Sequence, residues 1–134
     1  MIKELWINLL VKNLVKSKEF YAQLGFLFSL QFSKDGFAIG GKKIIVMLIE
    51  ESAFKKFTRH ELSDTKVGTE VLFSIDAESR QEVDEMTNKA RNAGGLVFAE
   101  PGENQGWMYG SGFADLDGHR WNLLYMDMSK MPKG

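Results

Sequence analysis

Cysteine is absent from the 134-residue chain. Its absence excludes disulfide bridges, thiolate nucleophiles and thiolate metal sites. A domain of this size can bury about two-thirds of the surface that its unfolded chain exposes, so it needs no covalent cross-links. Hydrophobic residues make up 44% of the chain and charged residues 26%, which is typical of a soluble globular protein. We therefore expect a single domain over residues 1–134.

Long runs of one charge and long apolar runs are also missing. The chain has 17 basic and 18 acidic residues and a net charge of −1, without the basic stripe typical of nucleic-acid binding. No segment approaches the length of a membrane span. The apolar start MIKELWINLLV is too short for a secretory signal and is interrupted by Asn8. We expect a cytoplasmic protein with neither nucleic acid nor membrane as a partner.

A repeated pattern is the strongest signal that the chain does carry. Residues 5–50 and 69–127 each start with a strand-like run, continue into an amphipathic helix and end in several short β-type runs. Two copies of one strand, one helix and three strands predict an α+β fold that encloses an interior. The pattern divides the chain into module one (1–51), a connector (52–68), module two (69–128) and a flexible tail (129–134).

The first copy has clear local signals. Alternating aliphatic residues predict a strand from Leu5 to Val11. An apolar stripe predicts a helix over roughly residues 15–24, which Gly25 would end. In the connector, residues 53–58 are compatible with one helical turn. A connector of this length would allow two subunits to exchange modules.

The second copy has stronger helix boundaries. Val71, Phe73 and Ile75 form the aliphatic face of a predicted strand. Ser79 and Glu82 then have the spacing of a capping box. The apolar residues of the following helix recur at helical spacing, and a pair of glycines ends it; these residues are Val83, Met86, Ala90, Gly94 and Gly95.

Several segments resemble one known superfamily. VKNLVKSKEFYAQLGF (Val11 to Phe26) resembles the opening signature of the vicinal oxygen chelate superfamily, which includes glyoxalase I, bleomycin-resistance proteins, fosfomycin-resistance enzymes and extradiol dioxygenases. FADLDGHRWNLLYMD (Phe113 to Asp127) resembles its closing hairpin. TEVLFSIDAESRQEVDEM and GWMYGSGFADLDGHRW are most similar to a bacterial branch described as predicted lactoylglutathione lyases.

The resemblance implies two tandem βαβββ modules whose eight strands form one curled mixed sheet around a cavity, with the helices outside. In metal-dependent relatives, the first and last strands of each module each contribute one inward ligand. The matching positions here are Trp6, Glu70, Asn122 and Leu48 or its neighbour Met47. Since only Glu70 is a good ligand for a divalent ion, we expect no cofactor and disfavour a bound metal. Metalloglyoxalase chemistry, which needs a Lewis acid, is therefore not expected.

Glu70 is the candidate catalytic residue. It begins an apolar strand and would face a cavity walled by Trp6, Leu48 and Leu72. A carboxylate in such surroundings can serve as a general base or accept a hydrogen bond from a ligand. The structural alternative is that Glu70 only pairs with an asparagine or a basic side chain near the mouth of the cavity.

Four further polar residues divide into two groups. Asn8 and Asn122 lie on the first and last strands and could hydrogen-bond a ligand, or pair with each other across the sheet. His60 lies in a polar connector and is expected to face solvent. His119 follows the Asp117-Gly118 turn and is expected to shape it. Neither histidine supports a metal pair or a catalytic triad.

The glycine-containing segment 102–110 is a candidate lid. Its large amphipathic residues, Trp107 and Tyr109, could close over a ligand, or they could complete the core or a dimer contact. The segment lacks the phosphate-binding pattern GxxxxGK[ST]. The predicted ligand-binding residues are Trp6, Asn8, Leu48, Leu72, Trp107, Tyr109, Asn122 and Leu124.

Three functions fit these residues and patterns. The first is metal-independent binding of an aromatic or amphipathic small molecule, as the resemblance to bleomycin-resistance proteins allows. The second is a lyase or isomerase with Glu70 as base and the two asparagines stabilising an oxyanion. The third is a metalloenzyme with a depleted site that uses Glu70 and another residue such as Glu50. The resemblance also implies a homodimer.

Overall fold

The computed structural model describes residues 1–29, 33–41 and 43–132. It divides into two compact units, Met1–Asp64 and Thr65–Gly134. Their boundary lies inside the predicted connector 52–68, so each unit contains one copy of the repeat. In the described part of the chain, no helix has the length and apolar character needed to cross a membrane.

The first unit has the element order of the predicted module. Its strands form a four-stranded sheet in the order β1-β4-β3-β2, with β1 parallel to β4 and the other neighbours antiparallel. The elements are β1 (Leu5–Val11), α1 (Leu14–Gln23), β2 (Phe28–Ser29), β3 (Ser33–Ile39), β4 (Ile44–Glu50) and α2 (Glu51–Thr58).

Local chemistry determines where α1 begins and ends. The side chain of Asn13 accepts a hydrogen bond from the backbone N–H of Lys16, which satisfies one free donor of the first turn. Gly25 follows the helix with φ of +106°, the conformation expected of a glycine that ends a helix. Both ends agree with the sequence prediction. The buried face of α1 contributes Tyr21, whose ring centroid lies 5.0 Å from that of Phe37 in β3.

The second unit repeats this architecture with a longer helix. Its sheet has the order β5-β8-β7-β6, again with the first strand parallel to the last. The elements are β5 (Leu72–Asp76), α3 (Arg80–Asn92), β6 (Leu96–Asn104), β7 (Met108–Ala114), β8 (Arg120–Met126) and the 3₁₀-helix η1 (Met128–Lys130).

Helix α3 packs on the sheet of the second unit. The Ser79 hydroxyl accepts a hydrogen bond from the N–H of Glu82, which confirms the predicted cap. The Glu82 carboxylate accepts from the N–H of Glu78, one residue before the position expected in a capping box. Val83 of α3 and Leu123 of β8 are fully buried in one apolar cluster. The core of this unit therefore lies between α3 and one face of the sheet.

The prediction of one curled eight-stranded sheet is wrong. The described strands instead form two four-stranded sheets. The reason is that each repeat completes its own ladder, because its first strand pairs in parallel with its last. Two smaller expectations also change. Helix α2 covers the start of the connector and has eight residues, whereas only one helical turn was predicted there. The predicted flexible tail begins inside η1, capped by Asp127, and residues 133–134 lie outside the described part.

Candidate functional site

The sheet of the second unit has two chemically different faces. Trp121 and Leu123 of β8 point towards the face that α3 covers, and both are buried. Residues that alternate with them point the opposite way, because side chains alternate along a strand. We call this opposite side the open face; its side chains are Leu72, Ser74, Asp76, Arg120, Asn122 and Leu124.

Asn122 lies in the middle of the open face. Its backbone is in register with Ser74 on one side and Gly112 on the other. The Asn122 amide donates a long hydrogen bond of 3.5 Å to the Ser74 hydroxyl. This distance is at the limit of a hydrogen bond, so the amide retains donor and acceptor capacity for a ligand. Leu72, which is 50% exposed, provides apolar surface on the adjacent strand.

Arg120 and Phe98 complete the open face, and neither was predicted from the sequence. The guanidinium carbon of Arg120 lies 4.4 Å from the centroid of the Phe98 ring. The Phe98 ring in turn covers Gly112, where an added Cβ atom would collide with the ring. Strand alternation was the signal that could have found Arg120, because it lies two residues before Asn122.

The first unit has an equivalent face on β1. Trp6 and Asn8 are both exposed there, and Met47 pairs with Asn8 in the ladder. Leu48 pairs with Leu9, and both are buried. They lie on the same face as Val46, whose partner Phe37 contacts α1. Leu48 therefore does not share a face with Trp6, whereas its neighbour Met47 does.

Glu70 lies outside the strand that it was predicted to begin. β5 starts at Leu72, and Glu70 occupies an exposed bend two residues earlier. Its predicted position at the start of that strand is therefore not observed. The general-base role of Glu70 stays a prediction.

The predicted lid 102–110 is a hairpin between β6 and β7. Its turn comprises residues 105–107, and the flanking residues pair as far as Asn104 with Met108. Trp107 lies at the turn, and its indole nitrogen is buried without a hydrogen-bond partner in the described part of the chain. Tyr109 packs against the α3-side cluster, so it does not share a face with Asn122.

Tyr109 has a role on the α3 side of the sheet. Its hydroxyl donates a 2.6 Å hydrogen bond to the Asp84 carboxylate, and Arg80 lies 5.2 Å from its ring centroid. The hydrogen bond to Asp84, together with desolvation and the negative charge of Asp84, raises the pKa of Tyr109, although Arg80 opposes the shift. The neutral phenol is favoured because only the protonated oxygen can donate to the carboxylate.

We expect the Asp84→Asn substitution to lower the pKa of Tyr109 towards its usual value. The stabilisation linked to this raised pKa is present below the unfolded pKa of tyrosine and is lost as the pH rises through the folded value. Ultraviolet titration of phenolate absorbance would measure the shift, with Tyr109→Phe identifying the signal. An Asp84→Asn curve that superimposes on the wild-type curve would contradict the assignment.

The two histidines behave as the sequence predicted. His60 is exposed, and its ring contacts the backbone carbonyl of Glu61. His119 shapes the turn between β7 and β8, since both its backbone N–H and its ring nitrogen Nδ1 lie within 2.9 Å of the Asp115 carboxylate. The N–H of Asp117 donates to the same carboxylate. This buried carboxylate therefore holds the turn that precedes Arg120.

The donor chemistry does not fit the metal ligands that the resemblance implies. Trp6 and Leu48 have no side-chain donor for a divalent ion, and Glu70 and Asn122 supply one carboxylate and one carboxamide. Within residues 1–29, 33–41 and 43–132, no three His, Asp or Glu side chains are grouped to hold a metal ion. We therefore derive no catalytic step through a metal.

Solved structures of other proteins share the fold of this chain. A hypothetical protein SA1046 from S. aureus is 38% identical, with 93% of this chain and 95% of that chain covered and a TM-score of 0.80. A glyoxalase-related enzyme from Fulvimarina pelagi is 16% identical, with coverage of 100% and 94% and a TM-score of 0.77. A glyoxalase/bleomycin resistance protein/dioxygenase family enzyme from Burkholderia phytofirmans PsJN is 19% identical, with coverage of 90% and 96% and a TM-score of 0.73.

The family model supplies the remaining finding. No curated protein matches the chain. The similarity to the lactoylglutathione lyase branch stays a prediction. The model of the Glyoxalase/Bleomycin resistance protein/Dioxygenase superfamily matches residues 5–123, which is most of the chain. The chain therefore belongs to the Glyoxalase/Bleomycin resistance protein/Dioxygenase superfamily.

Proposed function

We propose that the protein binds an aromatic or amphipathic small molecule on the open face of its second unit, without a metal ion. The observation that carries the proposal is the mixture of side chains on this face. Leu72 and Phe98 provide exposed apolar surface, and Asn122 lies in the same sheet with hydrogen-bonding capacity to spare. Small-molecule sites usually combine apolar surface with a few polar groups that orient the ligand.

The same chemistry occurs on the equivalent strand of the first unit. Trp6 is 44% exposed, and Asn8 follows it on the same face of β1. An indole gives a ligand a large flat surface at a low cost in side-chain entropy. We propose that Trp6 and Asn8 form an equivalent ligand-contacting surface of the first unit. The predicted homodimer stays a prediction, and so does the enzymatic alternative based on Glu70.

A neutral bicyclic amide is a suitable first probe, because it has a flat apolar ring and one polar group that can pair with a carboxamide. We expect 2-naphthamide to bind saturably in isothermal titration calorimetry, with the same affinity in the presence of a chelator. Asn122→Leu should weaken binding about tenfold, since it removes a hydrogen bond worth about 1 kcal/mol and leaves the ligand amide unpaired.

Asn88→Leu is the matched control, because Asn88 is exposed on helix α3 and its side chain accepts a hydrogen bond from Arg91. We expect its affinity to equal that of the wild type. Absence of saturable binding by 2-naphthamide at millimolar concentration would overturn the proposal. Equal affinities for Asn122→Leu and wild type would remove Asn122 from the site, and loss of binding with the chelator would overturn metal independence.

A further inference from the structure

Arg120 is a cation with unused hydrogen-bonding capacity. It begins β8 and is partly buried, and the guanidinium lies against the ring of Phe98. Among the described residues, no carboxylate comes within ion-pair distance of it. Stacking on a ring occupies the face of a guanidinium but leaves the five N–H donors at its edge available.

Two other arginines of this unit show the contrast. Arg80 pairs with Glu103, and Arg91 pairs with Glu100 at 2.5 Å. Both lie on α3, whereas Arg120 lies on the open face of the sheet. The two helix arginines therefore have carboxylate partners, whereas Arg120 packs on an aromatic ring.

The backbone of β6 accounts for the position of that ring. Val97 pairs with Phe113 and Ala99 pairs with Gly112, so Phe98 is the extra residue of a β-bulge. A bulge redirects the side chain at its position. Here the Phe98 ring lies over Gly112, a position where any larger residue would collide with it. The bulge and the glycine together hold the ring beside Arg120.

The remaining charges near the open face do not neutralise Arg120. Asp76 shares this face but is in register with Leu124, four residues along β8 from Arg120. At about 3.3 Å per residue, that separation is roughly 13 Å. Glu70 is exposed in the bend before β5 and makes no described ion pair with Arg120.

We propose that Arg120 and Phe98 form a carboxylate subsite, so that the ligand of this face is a planar aromatic carboxylate. A guanidinium binds a carboxylate through two parallel N–H donors, and its orientation must be fixed for both to engage. Phe98 fixes that orientation. Asn122, two residues after Arg120 in β8, contacts a second polar group of the ligand. The flat ring of the ligand lies against Leu72 and Phe98. This inference rests on the proposed function and specifies its ligand class.

A matched pair of probes separates the two proposals. 2-Naphthoate and 2-naphthamide share ring, shape and size but differ in charge. Titration calorimetry at low salt should show that the wild type binds the carboxylate about tenfold more tightly, since charge-assisted hydrogen bonds are stronger than neutral ones. Binding of the amide tests the proposed function, whereas the ratio of the two affinities tests the carboxylate subsite.

Three variants test which residues cause the preference for the carboxylate over the amide. Arg120→Gln should lower the ratio of carboxylate affinity to amide affinity to about one. Arg120→Lys should retain only part of the preference, because it keeps the charge without the planar fork. Gly112→Ala should also lower the ratio, because its Cβ displaces the Phe98 ring. Arg80→Met is the control, since Arg80 also stacks on a ring, that of Tyr109, on the α3 side.

Each outcome has one meaning. A carboxylate preference that disappears in Arg120→Gln and persists in Arg80→Met supports the subsite. Equal wild-type affinities for the two probes overturn the subsite and leave the proposed function standing. A preference that persists in Arg120→Gln overturns the role of Arg120. Absence of binding by both probes overturns the proposed function itself. Circular dichroism of each variant identifies loss of folding. If Arg120→Gln does not fold, a reduced preference in Arg120→Lys supports the role of Arg120, and an undiminished preference overturns it.

Discussion

Replacement of Trp121 by alanine should lower the free energy of unfolding by about 3–5 kcal/mol, the cost typical of deleting a buried tryptophan side chain. Trp121 is only 2% exposed, and its ring lies between those of Phe73, at 4.9 Å, and Phe113, at 6.5 Å. Deletion leaves a cavity that these rings cannot fill without leaving their own contacts. The midpoint of thermal unfolding should fall by about 10 °C or more.

Trp6→Ala provides the matched control for this prediction. Trp6 is also a strand tryptophan, but it is 44% exposed, so its truncation should cost less than about 1 kcal/mol. Urea unfolding should be followed by far-ultraviolet circular dichroism, because both substitutions change the fluorescence. Equal destabilisation by the two substitutions would contradict the assignment of Trp121 to the buried face and of Trp6 to the exposed one.

The elements that the sequence predicted best are those with local signals. β1 occupies Leu5–Val11 as predicted, because its first and last aliphatic residues mark a clear alternation. α3 starts after Ser79, whose side chain caps it. Gly25 and Gly94 follow α1 and α3 with positive φ, so the predicted helix ends are also confirmed. In each case the residues that determine the structure are neighbours in sequence.

The start of β5 depends on a residue far away in the chain. Leu72 pairs with Arg120, the first residue of β8. Extending the parallel ladder by two residues would pair Glu70 with Gly118, which belongs to the turn that Asp115 holds. The strand propensity of residues 69–71 therefore finds no partner. A sequence pattern within β5 could not reveal this limit.

The faces of two strands were equally difficult to predict. In β4, the apolar run IIVMLI has no polar residue to mark which side chains face α1, so Leu48 and Met47 were not distinguished. In β6, the bulge at Phe98 changes which side chains point to the open face, and it depends on the pairing with β7. Asn122 was predicted on the last strand, and the structure places it there, beside Ser74 on the face opposite α3.

The turn before Arg120 gives the second large prediction. Gly118→Ala should lower the free energy of unfolding by about 3 kcal/mol, because it combines backbone strain with a steric conflict. Gly118 has φ of +92°, which an alanine adopts only with strain. Its added Cβ would lie 2.6 Å from the carbonyl oxygen of Thr65, a backbone atom that a side-chain rotation cannot move.

Gly106→Ala separates the two contributions. Gly106 also has a positive φ, of +76°, but no atom lies within 4 Å of its added Cβ, so only the strain of about 1 kcal/mol should be measured. Chemical unfolding of both variants gives the difference. Equal losses would show that the backbone at Thr65 moves away at little cost. A larger loss in Gly118→Ala would show that the contact between residue 118 and Thr65 fixes this turn. The Thr65 hydroxyl also donates a hydrogen bond to the Asp117 carbonyl there. Strand β8, with Arg120 and Asn122, extends from this turn.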